Sequence, residues 1–421
     1  MMFKFRLNRM LAAATLTAVL VVLVSVSPTS GFAKDKKPRA QHTQSEAPAK
    51  PQIDVTKLVW PGPPNIPRIR YVNYFAGQKI DQTPASEQPK KKSTWMDRMA
   101  GVENANTKHL KQLPFQLLAP FGMAVNSKGE LLVADQKVGA LFIFNTETRD
   151  ATLIRNGFEA TFGLINGIAI DDDDRMFITD GKLHRVLILD KKGTPVDQIK
   201  EGLVDPVGIA VDTENRLLYV VDTQQDVVFV YDADSLKKIR RIGSVGKKHE
   251  MTAHGDFSAP YGIALDSDRN VYVTDMLNNR VEMFDAEGKF ISQFGQHCDG
   301  PGCFARPKGI AVDGDGHIWV ADPMLDILQI FDRDGQLLAF VGGHGDLPGQ
   351  FASLVSVAFD PKTNQVFTAE QFPGRVQQFR YITDAEAEQL KQEKETQRAG
   401  QPAAAAQTAE AKPQAKPEAK Q

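Results

Sequence analysis

Six segments of this chain carry the same residues in the same register, their openers spaced 45, 41, 54, 47 and 47 residues apart. Each opens on a small residue: Gly122, Gly167, Gly208, Gly262, Gly309 and Ser356. Two residues later stands Ala124, Ala169, Ala210, Ala264, Ala311 or Ala358. An acid follows 13 or 14 residues after the opener, at Asp135, Asp180, Asp222, Asp275, Asp322 and Glu370. Nine residues past the acid comes Phe144, Leu189, Tyr231, Phe284, Phe331 or Phe379. Periods of this length belong to architectures in which one supersecondary unit cannot bury its apolar face alone and must stack on its neighbours.

The unit is built of strands. Ile-Trp-Val-Ala (318–321), Leu-Leu-Tyr-Val-Val (217–221) and Val-Val-Phe-Val-Tyr (227–231) are short, β-branched or aromatic, and bounded by turn clusters such as Asp313-Gly-Asp-Gly. They are apolar on both faces, as strands are when covered on both sides. Four strands fit the period, and four-stranded sheets repeated radially make a β-propeller. The constant Ala fits inner strands crowded at the axis. Leu117, Phe162, Leu203, Phe257, Phe304 and Phe351, five residues before each opener, read as plugs between successive blades. The sixth unit runs out after its third strand, and Arg68–Phe75 resembles the outer strands Lys289–Phe294 and Gln336–Val341. The expected fold is therefore all-β: a six-bladed propeller over 117–382, closed by an N-terminal strand within 60–116, with flexible tails at both ends.

Pro-x-Gly-Ile-Ala-Val-Asp, a Val-Ala-Asp strand end and Asn-x-Arg before the third strand together resemble the NHL repeat. Blade four matches best, with Asp275, Asn278 and Arg280; Arg185 and Arg375 hold the same offset, whereas Ala140, Val227 and Ile327 depart from it. The resemblance implies the propeller fold. It points to no single activity, since its members include protein-binding and RNA-binding propellers, the sensor halves of bacterial kinases and a zinc lyase.

Residues 1–33 read as a signal peptide, with Lys4, Arg6 and Arg9 before an apolar stretch (11–26) and Gly31-Phe-Ala33 as a cleavage site. The expected location is exported, periplasmic or secreted, with no stable membrane span after cleavage; an uncleaved anchor is the alternative. Residues 34–59 read as a disordered tether, 93–100 as a short helix, 383–399 as a charged helix capped by Thr383-Asp-Ala-Glu386, and 400–421 as a disordered tail. The 50 basic and 52 acidic residues balance, which argues against a bulk electrostatic nucleic-acid binder. The only cysteines, Cys298 and Cys303, flank a Gly/Pro turn; a disulfide is expected in an exported compartment. No Cys-x-x-Cys-His occurs, so no c-type haem is expected.

The six acids invite a cation-site reading, but a carboxylate at a strand end ordinarily serves backbone N–H groups. The Asp171–Asp174 run lacks the alternating ligands of a calcium loop. His249, His297 and His344, spaced about one blade apart, with His254 beside them, are candidate zinc ligands; zinc or calcium stays as an alternative to no cofactor. Lactonase-like and organophosphatase-like propellers imply buried Asn, Asp and Glu ligands at the axis, where these inner strands offer Ile, Ala and Val. The sharpest departure from the repeat is apolar: Met276, Leu277, Met324, Leu325 and Phe372 occupy turns that are polar in the consensus, and apolar groups gathered on one face mark an interaction surface. The expected function is a non-catalytic binding or scaffold module docking a protein or peptide on one face of blades four to six. A metal-dependent lyase or hydrolase at the same mouth is the alternative. Family association adds a role accessory to a redox complex.

Overall fold

The computed structural model describes residues 53–79, 114–155, 161–243 and 253–400. The signal-peptide reading, most of the tether, the 93–100 helix, His249 and the tail after Gly400 lie outside these residues. Alternating β-rich runs and tight turns give six antiparallel sheets. In blade four, Pro260–Leu265, Val271–Asp275, Arg280–Phe284 and Phe290–Phe294 run from axis to rim. Blade six consists of Leu354–Asp360, Gln365–Glu370 and Arg375–Tyr381, and Ile69–Phe75 pairs antiparallel to the last of these. The N-terminal strand thus closes the ring, as the run-out of the sixth repeat requires.

One boundary shifts. Residues 53–59 were expected as tether, but Val55–Lys57 forms a 3-10 turn and Val59–Trp60 adds a fifth strand to blade six. The cause is apolar. Val55, Leu58 and Trp60 pack on the cluster between blades five and six, and the Trp60 ring meets Phe379 edge-on at 5.9 Å. At the other end the predicted capping box forms, with Glu386 N–H donating to Thr383 Oγ1 and Thr383 N–H to Glu386, opening the helix Asp384–Gly400. No helix among the described residues is long and apolar enough to cross a membrane.

Among the described residues the apolar side chains form six hydrophobic clusters rather than a single core, each between two consecutive blades, with Val207 of blade three joining the blade six–one cluster at the axis. The six plugs are all buried, Phe304 and Phe351 completely. The constant Ala residues belong to these same clusters, facing the next blade. The tightest crowding at the axis falls instead on the opener: a Cβ on Gly262 would lie 2.3 Å from the Lys308 carbonyl, and one on Gly208 2.3 Å from that of Tyr261. Gly262→Ala must therefore push two blades apart, and we expect it to cost about 1–3 kcal/mol, measured as a lower urea midpoint. An unchanged midpoint would show that the inner strands have slack.

Two further six-fold features fix the ring. The strand-end acids accept backbone N–H groups from the loop leading into their own blade: Asp135 from Leu118 and Ala119, Asp322 from Ala305 and Arg306, Glu370 from Ala352. Four residues after each acid, Gly139, His184, Asp226, Asn279, Asp326 and Gly374 all take positive φ, which explains the Gly/Asn/Asp/His composition there. From that position Asp226 reaches the Ala259 N–H and Asp326 the Ser353 N–H of the next blade. On the opposite face, arginines staple neighbouring blades: Arg216 to Asp172 and Arg333 to Asp268.

Candidate functional site

We call top the face that carries the lead-in loops and the turns between second and third strands. Its enlarged lead-in loops serve blades four, five and six, and a polar residue seven positions past the acid anchors each of them. Glu282, Gln329 and Gln377 are fully buried in third strands where blades one to three have Phe142, Leu187 and Phe229. They accept the N–H groups of Gly255 (3.0 Å), Gly302 (2.7 Å) and Gly349 (2.8 Å). The sequence carried a signal for this, a polar residue every 47 or 48 positions in otherwise apolar strands, and our reading missed it. Arg280 and Arg375 add a second clamp, each bonding its acid and loop carbonyls at Asp256 and Gln350. Blade five has Ile327 there, and its loop is closed by the Cys298–Cys303 disulfide instead.

Burial pushes the Glu282 carboxyl up to about 7, against the pull of Arg280. Arg280 stands between two buried carboxylates, at 2.9 Å from Asp275 and 3.0 Å from Glu282. Burial also raises Asp275 and Glu370. Blade six shows the neutral version of the arrangement, with Gln377 where blade four has Glu282.

The described histidines do not converge. His254 stacks on Phe290 at 3.7 Å, His344 Nδ1 lies 2.7 Å from Asp326, and His297 is exposed on its loop. His184 contacts the Val204 carbonyl. Among the described residues, the group that could share an ion is Asp171, Asp172 and Asp173, and Asp171 is engaged by Arg175 and Arg216.

The apolar turn residues divide. Leu277, Met324 and Phe372 are 45%, 65% and 60% exposed, whereas Met276 and Leu325 are half-buried. The exposed three occupy one position, two residues past the acid, and its equivalents in blades one to three are Lys137, Lys182 and Gln224. Leu118, 52% exposed, continues the face onto blade one.

At the centre of this face the residues just before the openers ring the axis: Phe121, Asn166, Val207, Tyr261, Lys308 and Val355. Phe121 and Tyr261 come from opposite blades, and their ring centroids lie 5.8 Å apart. A cavity of about 80 Å³ remains. Around it, Gln136 donates to Asn166, Asn166 to the Pro206 carbonyl and Thr223 to that of Pro260; the corresponding residues of blades four and five are Met276 and Pro323.

The model of the SMP-30/Gluconolactonase/LRE-like region matches residues 90–305, just over half of the chain. The chain belongs to this family. The NHL character of its repeats is supported as well: human NHL-repeat-containing protein 4 is 24% identical over 100 residues, 24% of this chain and 80% of that protein. Among solved structures, virginiamycin B lyase from Staphylococcus aureus covers 63% of this SMP-30/gluconolactonase-like chain and 96% of its own, at 15% identity and a TM-score of 0.47. Hydrazine synthase from Kuenenia stuttgartiensis covers 64% and 97%, at 14% identity and a TM-score of 0.48. Among the described residues, the ring just before the openers does not assemble the Asn, Asp and Glu ligands that lactonase-like members imply at the axis. The ring just before the openers holds one amide and one ammonium, the Asp205 carboxylate lies beside Asn166, and the repeat acids are turned onto backbone N–H groups.

Proposed function

We propose that this propeller is a non-catalytic binding module that docks a protein or peptide on the top face of blades four to six. One observation carries the reading. A single structural position is Lys, Lys and Gln in half of the ring and Leu, Met and Phe in the other half, with the apolar three exposed. Their backbone is held in place, for instance by the Met324 N–H on Asp322, so little ordering is needed on binding. The described parts of the lead-in loops beside them are clamped by buried polar anchors, which suits a rigid docking surface. We place the partner in the envelope or outside the cell, in keeping with the export signal read in residues 1–33.

The test is the triple variant Leu277→Ser, Met324→Ser, Phe372→Ser, immobilised beside the parent and exposed to native extract. We expect the partner identified on the parent to be lost from the variant, with stability changed by no more than about 0.5 kcal/mol per site. Undiminished capture of the same partner would overturn the reading. Metal content separates it from the metal-dependent lyase or hydrolase alternative: less than about a tenth of an equivalent of zinc or calcium after mild dialysis is expected.

A further inference from the structure

We propose that the axial mouth of the top face is a monocarboxylate-binding site whose anion-holding group is Lys308. At five of the six pre-opener positions the ring is uncharged; the ammonium of blade five is the exception. Its Nζ sits 4.7 Å over the Tyr261 ring and meets no carboxylate among the described residues. The neighbouring charge acting on it is another cation, Arg306, and burial together with Arg306 lowers its pKa. A half-buried ammonium without a counter-ion is costly to the free protein, so an anion delivered there removes a penalty as well as adding a bond.

The cavity sets the size and class of that anion. About 80 Å³ lined by Phe121, Val207, Tyr261 and Val355 has room for a few waters or a small end group, well short of whole-metabolite pockets. One ammonium against apolar walls suits a singly charged, planar carboxylate; a phosphate dianion would need more donors to replace its hydration. The carboxylate is the shared chemistry of a small free acid and of a polypeptide C-terminus. This site is independent of the apolar turns: it stands if they capture nothing, and they stand if it binds nothing.

The experiment is trace acylation of the full chain with a succinimidyl propionate, each lysine followed by peptide mass spectrometry. Sodium acetate is compared with sodium chloride at equal ionic strength, and acetyl-Ala-Ala-Ala with its C-terminal amide. Acetate is expected to slow labelling of Lys308 about threefold or more while other lysines and the chloride control stay level. Protection by the free-acid peptide exceeding that by acetate assigns the site to a polypeptide C-terminus; protection by acetate alone assigns it to a small acid. Both support the proposal. Lys308→Met, which keeps the stem over Tyr261, should cost calorimetric affinity for the better probe about tenfold or more, with the melting temperature showing the ring intact. No protection by either probe, equal protection by chloride, or full affinity in Lys308→Met would overturn it.

Discussion

A chain beginning at Gly77 is expected to lose its fold and to self-associate. The closing strand places Ile69 and Tyr71 in the cluster between blades five and six and Phe75 in the cluster between blades six and one. All three are almost fully buried. At about 2–5 kcal/mol for each large buried side chain, their removal costs on the order of 10 kcal/mol, comparable with the whole stability of a typical domain. It also bares the hydrogen-bonding edge of Arg375–Tyr381, an open template for pairing with other copies. Size-exclusion chromatography should show species larger than the parent's, and a synthetic peptide spanning Pro67–Gly77 should restore the parent's elution. A truncated chain that elutes with the parent and keeps its urea midpoint would show that closure contributes little.

The second large effect is expected from Glu282→Gln, and it depends on pH. The folded-state pKa of Glu282 is raised from 4.5 to about 7, so between these values the native state holds a proton that the unfolded chain has released. The stability this represents is fully present below about 4.5 and is lost as pH rises through about 7, on the order of 3 kcal/mol in all. Gln removes that slope and still accepts the Gly255 N–H, as Gln377 accepts that of Gly349 in blade six. The variant should be close to the parent at pH 5 and more stable by one to three kcal/mol, to order of magnitude, at pH 8. Titrations of groups remote from Glu282 cancel in the difference between the two proteins. Parallel stability curves from pH 5 to 8 would sink the assignment.

What could be read from the residues alone follows from repetition. Six aligned copies expose any feature that every interface needs: the plug Phe304 and its equivalents, the acid, the Ala, and the unit left one strand short that calls for Arg68–Phe75. Features present in only some copies were harder to see. Glu282, Gln329 and Gln377 look like ordinary polar alternation until the strand face on which they lie is known, because a buried position tolerates them only where a loop N–H awaits. The positive-φ site shared by His184, Asn279 and Asp326 was hidden by its mixed side chains, although backbone conformation gives them a common cause. The candidate site was legible by composition but not by exposure: Met276 and Met324 look alike in sequence, yet one is half-buried and the other open. Lys308 gave no warning, since a lysine beside Pro307 reads as a surface residue until the axis is seen to pass it.

The seam that closes the ring also sets a timetable for making it. Ile69–Phe75 leaves the ribosome about 300 residues ahead of its partner Arg375–Tyr381. At about 5–20 residues per second, roughly 15–60 s pass in which Ile69, Tyr71 and Phe75 have nowhere to go. Blades one to five can stack in that interval, but this early strand is the last to be placed. Until then Ile69, Tyr71 and Phe75 remain an extended apolar segment without the strand that covers it, open to pairing elsewhere.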